Sequence, residues 1–484
     1  ADLRLHRLPR ARGLAVIGFD DLDAAIDLVP SLLEAGPTAV ELLDDLIIDL
    51  ARRNLEHRRS VDLMPQPTGD APLRAVLYVE FWEDDAAAVA AGFEAVRRIV
   101  AAAATARTAT VATYDEPAAM ARALRLRAAG EPLLHGIPGH RKPLGFVEDN
   151  AVPVERLGEF VRRFRGIVEA EGTRAAFYAH ASVGVLHVRP LLDLRDPEDR
   201  RRMETIAVAV ADLARELGGV MSGEHGDGRV RGPLLERHFG PDLLAAFGEV
   251  KRLFDPEGRL NPGNIVAPGP VSSIHEAVRV RPEGGDVTVP PTPTWFAYAD
   301  EGGFDHAVEL CNGAGVCRKR SGGTMCPSYR ATQDERHSTR GRGNALRLAI
   351  TGQLGGPGRA AADDGPLWND PETLETLDLC LSCKACASEC PSNVDVATYK
   401  AEYLAQSFAA RGGPPLAARV FGHVRLLNRL GSAAAPLSNL VAASAPMRWL
   451  TGRVLGIAPQ RTLPTFARSL HRRLRARSSR PNDG

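Results

Sequence analysis

All seven cysteines of the chain fall between residues 311 and 390, and the preceding three hundred residues contain none. The densest run, Cys380-Leu-Ser-Cys383-Lys-Ala-Cys386-Ala-Ser-Glu-Cys390-Pro391, reads C-x2-C-x2-C-x3-C-P. Two-residue gaps turn three thiolates toward one centre, while the fourth, followed by proline, points away to a neighbouring one. Zinc sites share C-x2-C pairs but rarely set three thiolates in series closing on Cys-Pro. The run therefore reads as an iron–sulfur motif. Its partner is Cys311-x5-Cys317-x8-Cys326-Pro327, in which Ala314 stands where another thiolate would sit. Cys380, Cys383 and Cys386 with Cys326 supply four ligands to one cluster, leaving Cys311, Cys317 and Cys390 for a second. Alanine cannot bind iron, so the second cluster is either [3Fe–4S] or a [4Fe–4S] completed by a non-cysteine ligand. The competing reading is a single cluster, with Cys311, Cys317 and Cys326 structural. An odd cysteine count argues against a disulfide framework, and clustered thiols point to a reducing, cytoplasmic compartment.

A second set of chemically capable residues lies upstream. His180-Ala-Ser-Val-Gly-Val-Leu-His187-Val-Arg-Pro190 places two imidazoles seven residues apart, and Gly223-Glu224-His225-Gly226-Asp227-Gly228 adds an acid and a third imidazole. Residues seven apart face opposite sides of a straight strand. The small residues Ala181, Ser182 and Gly184 permit a bend that brings both imidazoles to one point. Two imidazoles and a carboxylate make a divalent-metal site with open positions, suited to Zn, Mn or Fe. Neighbouring Glu224 and His225 must project differently, so they can serve different roles. Set against this is the plain reading of polar residues near strand ends.

These residues need a scaffold, and residues 1–266 alternate apolar runs with amphipathic stretches. Leu14 to Phe19 and Ala75 to Phe81 read as strands. Asp21 to Ala35 reads as a helix, capped by Asp21, kinked at Pro30 and stopped by Gly36; Asp85 to Ala104 reads as another. A further helix is expected from Pro153, with Leu157, Phe160, Val161, Phe164 and Val168 on one face and Gly172 at its end. The fold class implied is α+β, a sandwich of helices on an antiparallel sheet, followed by an α-helical two-cluster domain. No glycine-rich phosphate loop follows any early strand. Residues 267–295 are rich in proline and read as a linker, 296–400 hold the cysteines, and 401–484 read as short helices ending in a basic tail.

The motifs FVEDNAVPVERL, HASVGVLHVRP, SGEHGDG, FDPEGRLNPGNIV and GGTMCPSYRATQDERHSTRGR, with the Cys-Pro motifs, occur in this order over residues 1–400. In them the chain resembles the FAD-linked D-2-hydroxyacid dehydrogenases of the vanillyl-alcohol-oxidase superfamily. It is most similar to the branch fused to a two-cluster ferredoxin-like module, which includes D-2-hydroxyglutarate dehydrogenases. The Cys-x5-Cys spacing also resembles the iron–sulfur subunit of succinate dehydrogenase and fumarate reductase, which holds a three-iron cluster; the longer x8 gap departs from that pattern. The family resemblance implies that His180, His187 and Glu224 bind a divalent metal and that His225 is the general base. It further implies that Arg127 and Lys142 contact substrate carboxylates and that Asn261 lies beside the flavin. Asn264 stands where the family commonly has lysine, so no lysine role carries over. The implied reaction oxidises a small 2-hydroxyacid of the D-2-hydroxyglutarate or D-lactate class. Electrons would pass from FAD through the clusters to a quinone, flavoprotein or cytochrome. In this family FAD sits mainly in an N-terminal domain with a glycine-rich loop, expected upstream or on a separate FAD-binding subunit.

Sixty basic and sixty acidic side chains cancel, so nothing points to nucleic acid. No apolar run approaches the roughly 20 residues of a spanning helix, and ADLRLHRLPR lacks the apolar core of a signal segment. The expected location is cytoplasmic, with a peripheral contact at the inner face of the membrane as a sharper version. Two other functions fit parts of the pattern. A non-catalytic electron-transfer subunit leaves the metal and base residues without a role, and a flavin-free metal hydrolase leaves the clusters without one.

Overall fold

The first strand, β1 (Ala11–Phe19), is apolar at successive as well as alternate positions because both of its faces are covered. Ala15, Ile17 and Phe19 join one core, and Leu14 and Val16 join another. A strand buried on both sides loses the apolar–polar alternation of a half-exposed one. The computed structural model describes residues 5, 8–54, 57–276, 278–280, 289–355 and 365–467. The strands that follow are β2 (Ala39–Asp44), β3 (Ala75–Glu83), β4 (Thr110–Tyr114), β5 (Lys142–Pro143), β6 (Asn150–Ala151), β7 (Ala175–His180) and β8 (Val185–Leu192). They make one sheet in the order β4-β1-β3-β2-β7-β8-β5, with β6 also on β8, and every pairing is antiparallel. The α+β expectation holds.

Helices cover both faces. On one lie α1 (Leu22–Leu33), α4 (Ala86–Ala102), α6 (Leu157–Ala170) and α7 (Pro197–Glu216). On the other lie α2 (Asp45–Arg53), α3 (Arg58–Val61) and α5 (Pro117–Leu134). Asp21 and Asp85 cap α1 and α4, and α1 runs through Pro30. The third expected helix begins later than Pro153: a 3-10 turn, Val154–Arg156, precedes α6. No side chain caps either start, and a tight first turn is the common alternative. All five apolar residues of its predicted face are buried. Removing them from water contributes on the order of 10 kcal/mol before chain entropy is subtracted.

The proline-rich stretch falls partly on residues 277 and 281–288, and the basic tail on 468–484; both lie outside the described residues. Within that stretch, Val271–His275 forms a 3-10 turn with Ile274 and His275 buried. His275 Nε2 lies 2.7 Å from Glu204 on α7, so this part is docked where an extended spacer was expected. Packing divides the chain into two compact units, Ala1–Lys400 and Ala401–Gly484. Helices Leu416–Gly422, Val424–Ala433, Ala435–Ala443 and Ala445–Leu455 make up most of the second, and none buries a residue. No helix among the described residues is long and apolar enough to cross a membrane.

Asp44 joins β2, α2 and β7. Its side chain, 2% exposed, accepts from Ile47 N at 3.1 Å and from Phe177 N at 2.6 Å. Truncation leaves a helix N-terminus uncapped and a buried strand amide without an acceptor, each costing a kcal/mol or more. Asp44→Ala should lower unfolding stability by about 2–4 kcal/mol in urea titrations, and a loss under about 0.5 kcal/mol would contradict this role.

Candidate active site and cluster loops

The bend anticipated between His180 and His187 is a complete hairpin. After β7, residues Ala181–Val183 make one 3-10 turn, and Gly184 reverses the chain in left-handed backbone, φ 69°. A Cβ at Gly184 would lie 1.9 Å from the Val152 carbonyl oxygen, so no other residue fits without moving backbone. The register pairs Tyr178 with His187 and His180 with Val185. His180 and His187 therefore become diagonal neighbours on one face of the sheet. Glu41 on β2 pairs with His180, so Glu41, Tyr178, His180, His187 and Arg189 share that face. It is the face covered elsewhere by α2, α3 and α5.

Glu224 and His225 come from a loop whose amides converge on one side chain. Asp149, 0% exposed and itself in left-handed backbone, accepts from Ser222 Oγ, from Glu224 N at 3.1 Å and from His225 N at 2.9 Å. Its carbonyl accepts from Gly223 N at 2.7 Å. Although burial opposes ionisation, these donors hold its carboxyl below the usual carboxylate range. Arg231 closes the loop by donating to Glu148 O and Gly226 O.

The result is a convergence of imidazoles on one carboxylate oxygen. Glu224 Oε1 lies 3.5 Å from His180 Nε2, 3.2 Å from His187 Nε2 and 3.4 Å from His225 Nε2. Glu41 accepts from His180 Nδ1 at 2.8 Å, and that hydrogen bond holds the His180 pKa above its ordinary value. A neutral His180 donating from Nδ1 turns its Nε2 lone pair toward Glu224, the arrangement that metal-binding imidazoles adopt. Burial, with His180 and His225 close by, pushes His187 down to about 4. Its Nδ1 is buried without a hydrogen-bond partner, and it stacks between Tyr178 and His225, with centroids at 4.9 and 5.1 Å. A neutral, desolvated imidazole beside a carboxylate suits a cation better than a proton. The donor set fits a divalent metal.

Of the residues expected to act here, His180, His187, Glu224 and His225 come together. Arg127 adjoins them through Glu41, its Nε donating to Oε2 at 2.9 Å. Lys142 does not. It lies on β5 opposite Leu192, roughly 17 Å along β8 from His187 at the usual strand rise. Its ammonium donates to Ile137 O at 2.6 Å and lines a separate cavity of about 270 Å³ that reaches Cys311. Asn261 is an exposed residue in left-handed backbone, φ 43°. Sequence reasoning passed over Glu41, Glu148, Asp149 and Arg189. Asp149 and Glu148 stand in the FVEDNAVPVERL motif, and Arg189 two residues beyond His187, so position offered a signal for three of them. Nothing local marks Glu41. Arg189 donates to Tyr178 Oη at 3.2 Å and lies 2.8 Å from Glu148 Oε2.

The cysteine loops are shaped by unusual backbone. Cys326, Ser382, Lys384 and Asn393 are all left-handed non-glycine residues, a strain that persists only where surrounding structure demands it. Cys326, Cys380, Cys383 and Cys386 line one small cavity. Cys390 feels the charges of Cys311 and Cys317, and Cys386 that of Cys326. Burial pushes the thiols of Cys386 and Cys390 up to about 11. Bare thiolates are therefore unstable here, and bound iron would supply the charge that keeps them ionised. Cys326 Sγ already accepts from Thr339 N at 3.0 Å, the kind of N–H···S contact that tunes such clusters.

Residues 8–265 match the family described as FAD linked oxidases, C-terminal domain, and residues 307–394 match the 4Fe-4S dicluster domain. The chain is 30% identical over 437 residues to the D-2-hydroxyglutarate dehydrogenase of Escherichia coli (strain K12), with 84% of this chain and 42% of that protein aligned. It is 26% identical over 273 residues to the glycolate oxidase subunit GlcD of Bacillus subtilis (strain 168), covering 55% of this chain and 53% of that one. The D-lactate dehydrogenase of Archaeoglobus fulgidus is 37% identical over 128 residues, covering 26% of this chain and 28% of that protein. The chain thus spans less than half the length of the D-2-hydroxyglutarate dehydrogenase it matches. Its cysteine module carries iron–sulfur clusters.

Because Asp149 holds both the Glu224 and His225 amides, Asp149→Ala should weaken divalent-metal binding roughly 10- to 100-fold. Calorimetric titration of Zn²⁺ or Mn²⁺ into the variant measures this, and unchanged affinity would show that the loop is held by other means.

Proposed function

We propose, because the chain belongs to the FAD-linked oxidase C-terminal domain family, that it is the substrate-capping and electron-transfer part of a flavin-dependent dehydrogenase. The substrate is a D-2-hydroxyacid of the D-2-hydroxyglutarate or D-lactate class, and the product is the 2-oxoacid. The observation that carries this reading is the meeting of three imidazole Nε2 atoms at Glu224 Oε1. His180, His187 and Glu224 would hold a divalent ion, Zn, Mn or Fe, which when bound supplies Lewis-acid polarisation of the substrate hydroxyl.

His225 is half-exposed, as a base that meets substrate must be. Its Nδ1 faces Glu148 Oε1 at 3.6 Å, so Nε2 would take the hydroxyl proton and Glu148 would balance the imidazolium. Arg127 and Arg189 flank Tyr178, their guanidinium carbons 5.8 and 6.0 Å from its ring, and orient substrate carboxylates. Lys142, held by the Ile137 carbonyl, is assigned no contact with substrate. FAD would supply the two-electron acceptor when bound, and Asn261 would contact it. Cys380, Cys383, Cys386 and Cys326 hold a [4Fe–4S] cluster; Cys311, Cys317 and Cys390 hold a three-iron one, since exposed Ala314 offers no ligand. The external acceptor is a quinone, flavoprotein or cytochrome, and the working location is the cytoplasm, with a peripheral contact at the inner face of the membrane. The domain assignment is 1–266 for the cap, 267–295 for the connection, 296–400 for the clusters and 401–484 for the helical extension.

Two variants side by side test the site. Glu224→Ala should release metal, since two imidazoles hold a divalent ion much less tightly than three ligands. His225→Ala should keep the metal and lower kcat of the complete flavoenzyme roughly 10²- to 10⁴-fold. Because His225 Nε2 lies as near Glu224 as the other imidazoles do, loss of metal in His225→Ala would make it a ligand and move the base elsewhere.

The three-iron assignment has its own measurement. The oxidised protein should contain about seven irons and give a low-temperature EPR signal. Silence in the oxidised state with about eight irons would replace it with a second four-iron cluster.

A further inference from the structure

Among the described residues, the helices between 416 and 455 carry large apolar side chains that are exposed. In Val424–Ala433, the helical turn of about 100° per residue sets Leu426, Leu427 and Leu430 on one side, with Arg425, Asn428 and Arg429 on the other. Both sides are exposed, and on the apolar one Leu430 is 60% exposed. Ala435–Ala443 repeats the pattern with Leu437, Leu440 and Val441, and Leu440 is 71% exposed. Ala445–Leu455 adds Trp449, 65% exposed, beside Arg448 and Arg453. Exposed apolar faces repeated on successive helices mark an interaction surface.

Charge says what kind of partner. Between Glu402 and Asp483 there is no aspartate or glutamate, whereas thirteen arginines lie from Arg411 to Arg480. The chain as a whole is neutral, so the rest of it carries the compensating acid, and the excess of cations is confined to this segment. A matching partner is apolar in depth and anionic at its rim. A leaflet of anionic phospholipid has that layering: leucines enter the acyl boundary, Trp449 sits at headgroup level, and arginines reach phosphate along their alkyl stems. The longest of these helices, Ala445–Leu455, has 11 residues. At about 1.5 Å per residue it is far shorter than the roughly 30 Å hydrocarbon layer. Such helices lie in the membrane plane.

We infer that residues 416–455 bind an anionic lipid surface through Leu426, Leu427, Leu430, Leu437, Leu440 and Trp449, with Arg425, Arg429, Arg448 and Arg453 on lipid phosphates. This deepens the peripheral location proposed above and needs none of the redox assignments. The test is co-sedimentation of the full chain with phosphatidylcholine vesicles and with vesicles that also contain phosphatidylglycerol. Binding should be at least about tenfold tighter to the anionic vesicles and should fall as salt rises. Leu427→Asp combined with Leu430→Asp should abolish binding, and Arg425→Gln combined with Arg429→Gln should weaken the anionic preference, both with iron content unchanged. Equal binding to both vesicles, no binding at low salt, or binding unaltered in the variants would overturn the inference. So would concentration-dependent self-association without vesicle binding, which would make the face a contact between copies of this chain. Absence of vesicle binding alongside substrate-dependent cluster reduction in the complete flavoenzyme would remove this inference alone and leave the redox reading standing.

Discussion

The reversal at Gly184 governs where the chemistry of the cap can occur. A left-handed residue is needed there, and the Val152 carbonyl leaves no room for a side chain. With the turn closed in this way, the register of β7 on β8 puts Tyr178, His180, His187 and Arg189 on one face. A slip of one residue would send His187 into the opposite core, among Leu186 and Val188. The Glu41 contact to His180 depends on the same register carried one strand further, through the pairing of β2 with β7. Position along the sheet, more than any single contact, is what brings the imidazoles together.

Around that hairpin the charges are arranged in two layers. Inside, three imidazoles and Glu224 meet with little water available to His187, 4% exposed in its side chain. Outside, Glu41, Glu148 and Asp149 hold imidazoles or loop amides, and Arg127, Arg189 and Arg231 hold those acids. His180 is oriented by Glu41 and the Glu224 and His225 amides by Asp149, whereas His187 is held by stacking between Tyr178 and His225. Asp149 serves backbone more than side chains, which is why it must be buried: an exposed carboxylate would be shared with water and would leave the Glu224 loop free to move.

The cysteine module uses a different device. Thiols that burial pushes up to about 11 would rather stay protonated, and left-handed residues at four positions around them keep the loops wound. Both features are costs that an empty loop would shed. Iron bound to the sulfurs would offset them, which would couple cluster assembly to folding of this region. The helical extension reverses the logic, since it leaves apolar surface open where the cap and cluster modules bury theirs.

How much of this was legible beforehand follows the range of the interactions. The cysteine spacings, the Asp21 and Asp85 caps and the apolar face of α6 are local, decided by residues a few positions apart, and they could be read directly. The imidazole pair was visible as chemistry, and Ala181, Ser182 and Gly184 signalled a bend, but the strand register was not legible, since seven-residue spacing on a straight strand puts the rings on opposite faces. Only the hairpin restored them to one. Lys142 and Arg127 looked alike in the chain, yet strand pairing sent Lys142 roughly 17 Å along β8 to another cavity while Arg127 met Glu41. Glu41 itself carries no local mark, and its role exists only because β2 lies beside β7. Residue types and near spacings determined which chemistries this protein can perform. Which side chains share a face was decided by antiparallel register across strands more than a hundred residues apart, because register alone sets the parity of every side chain it carries.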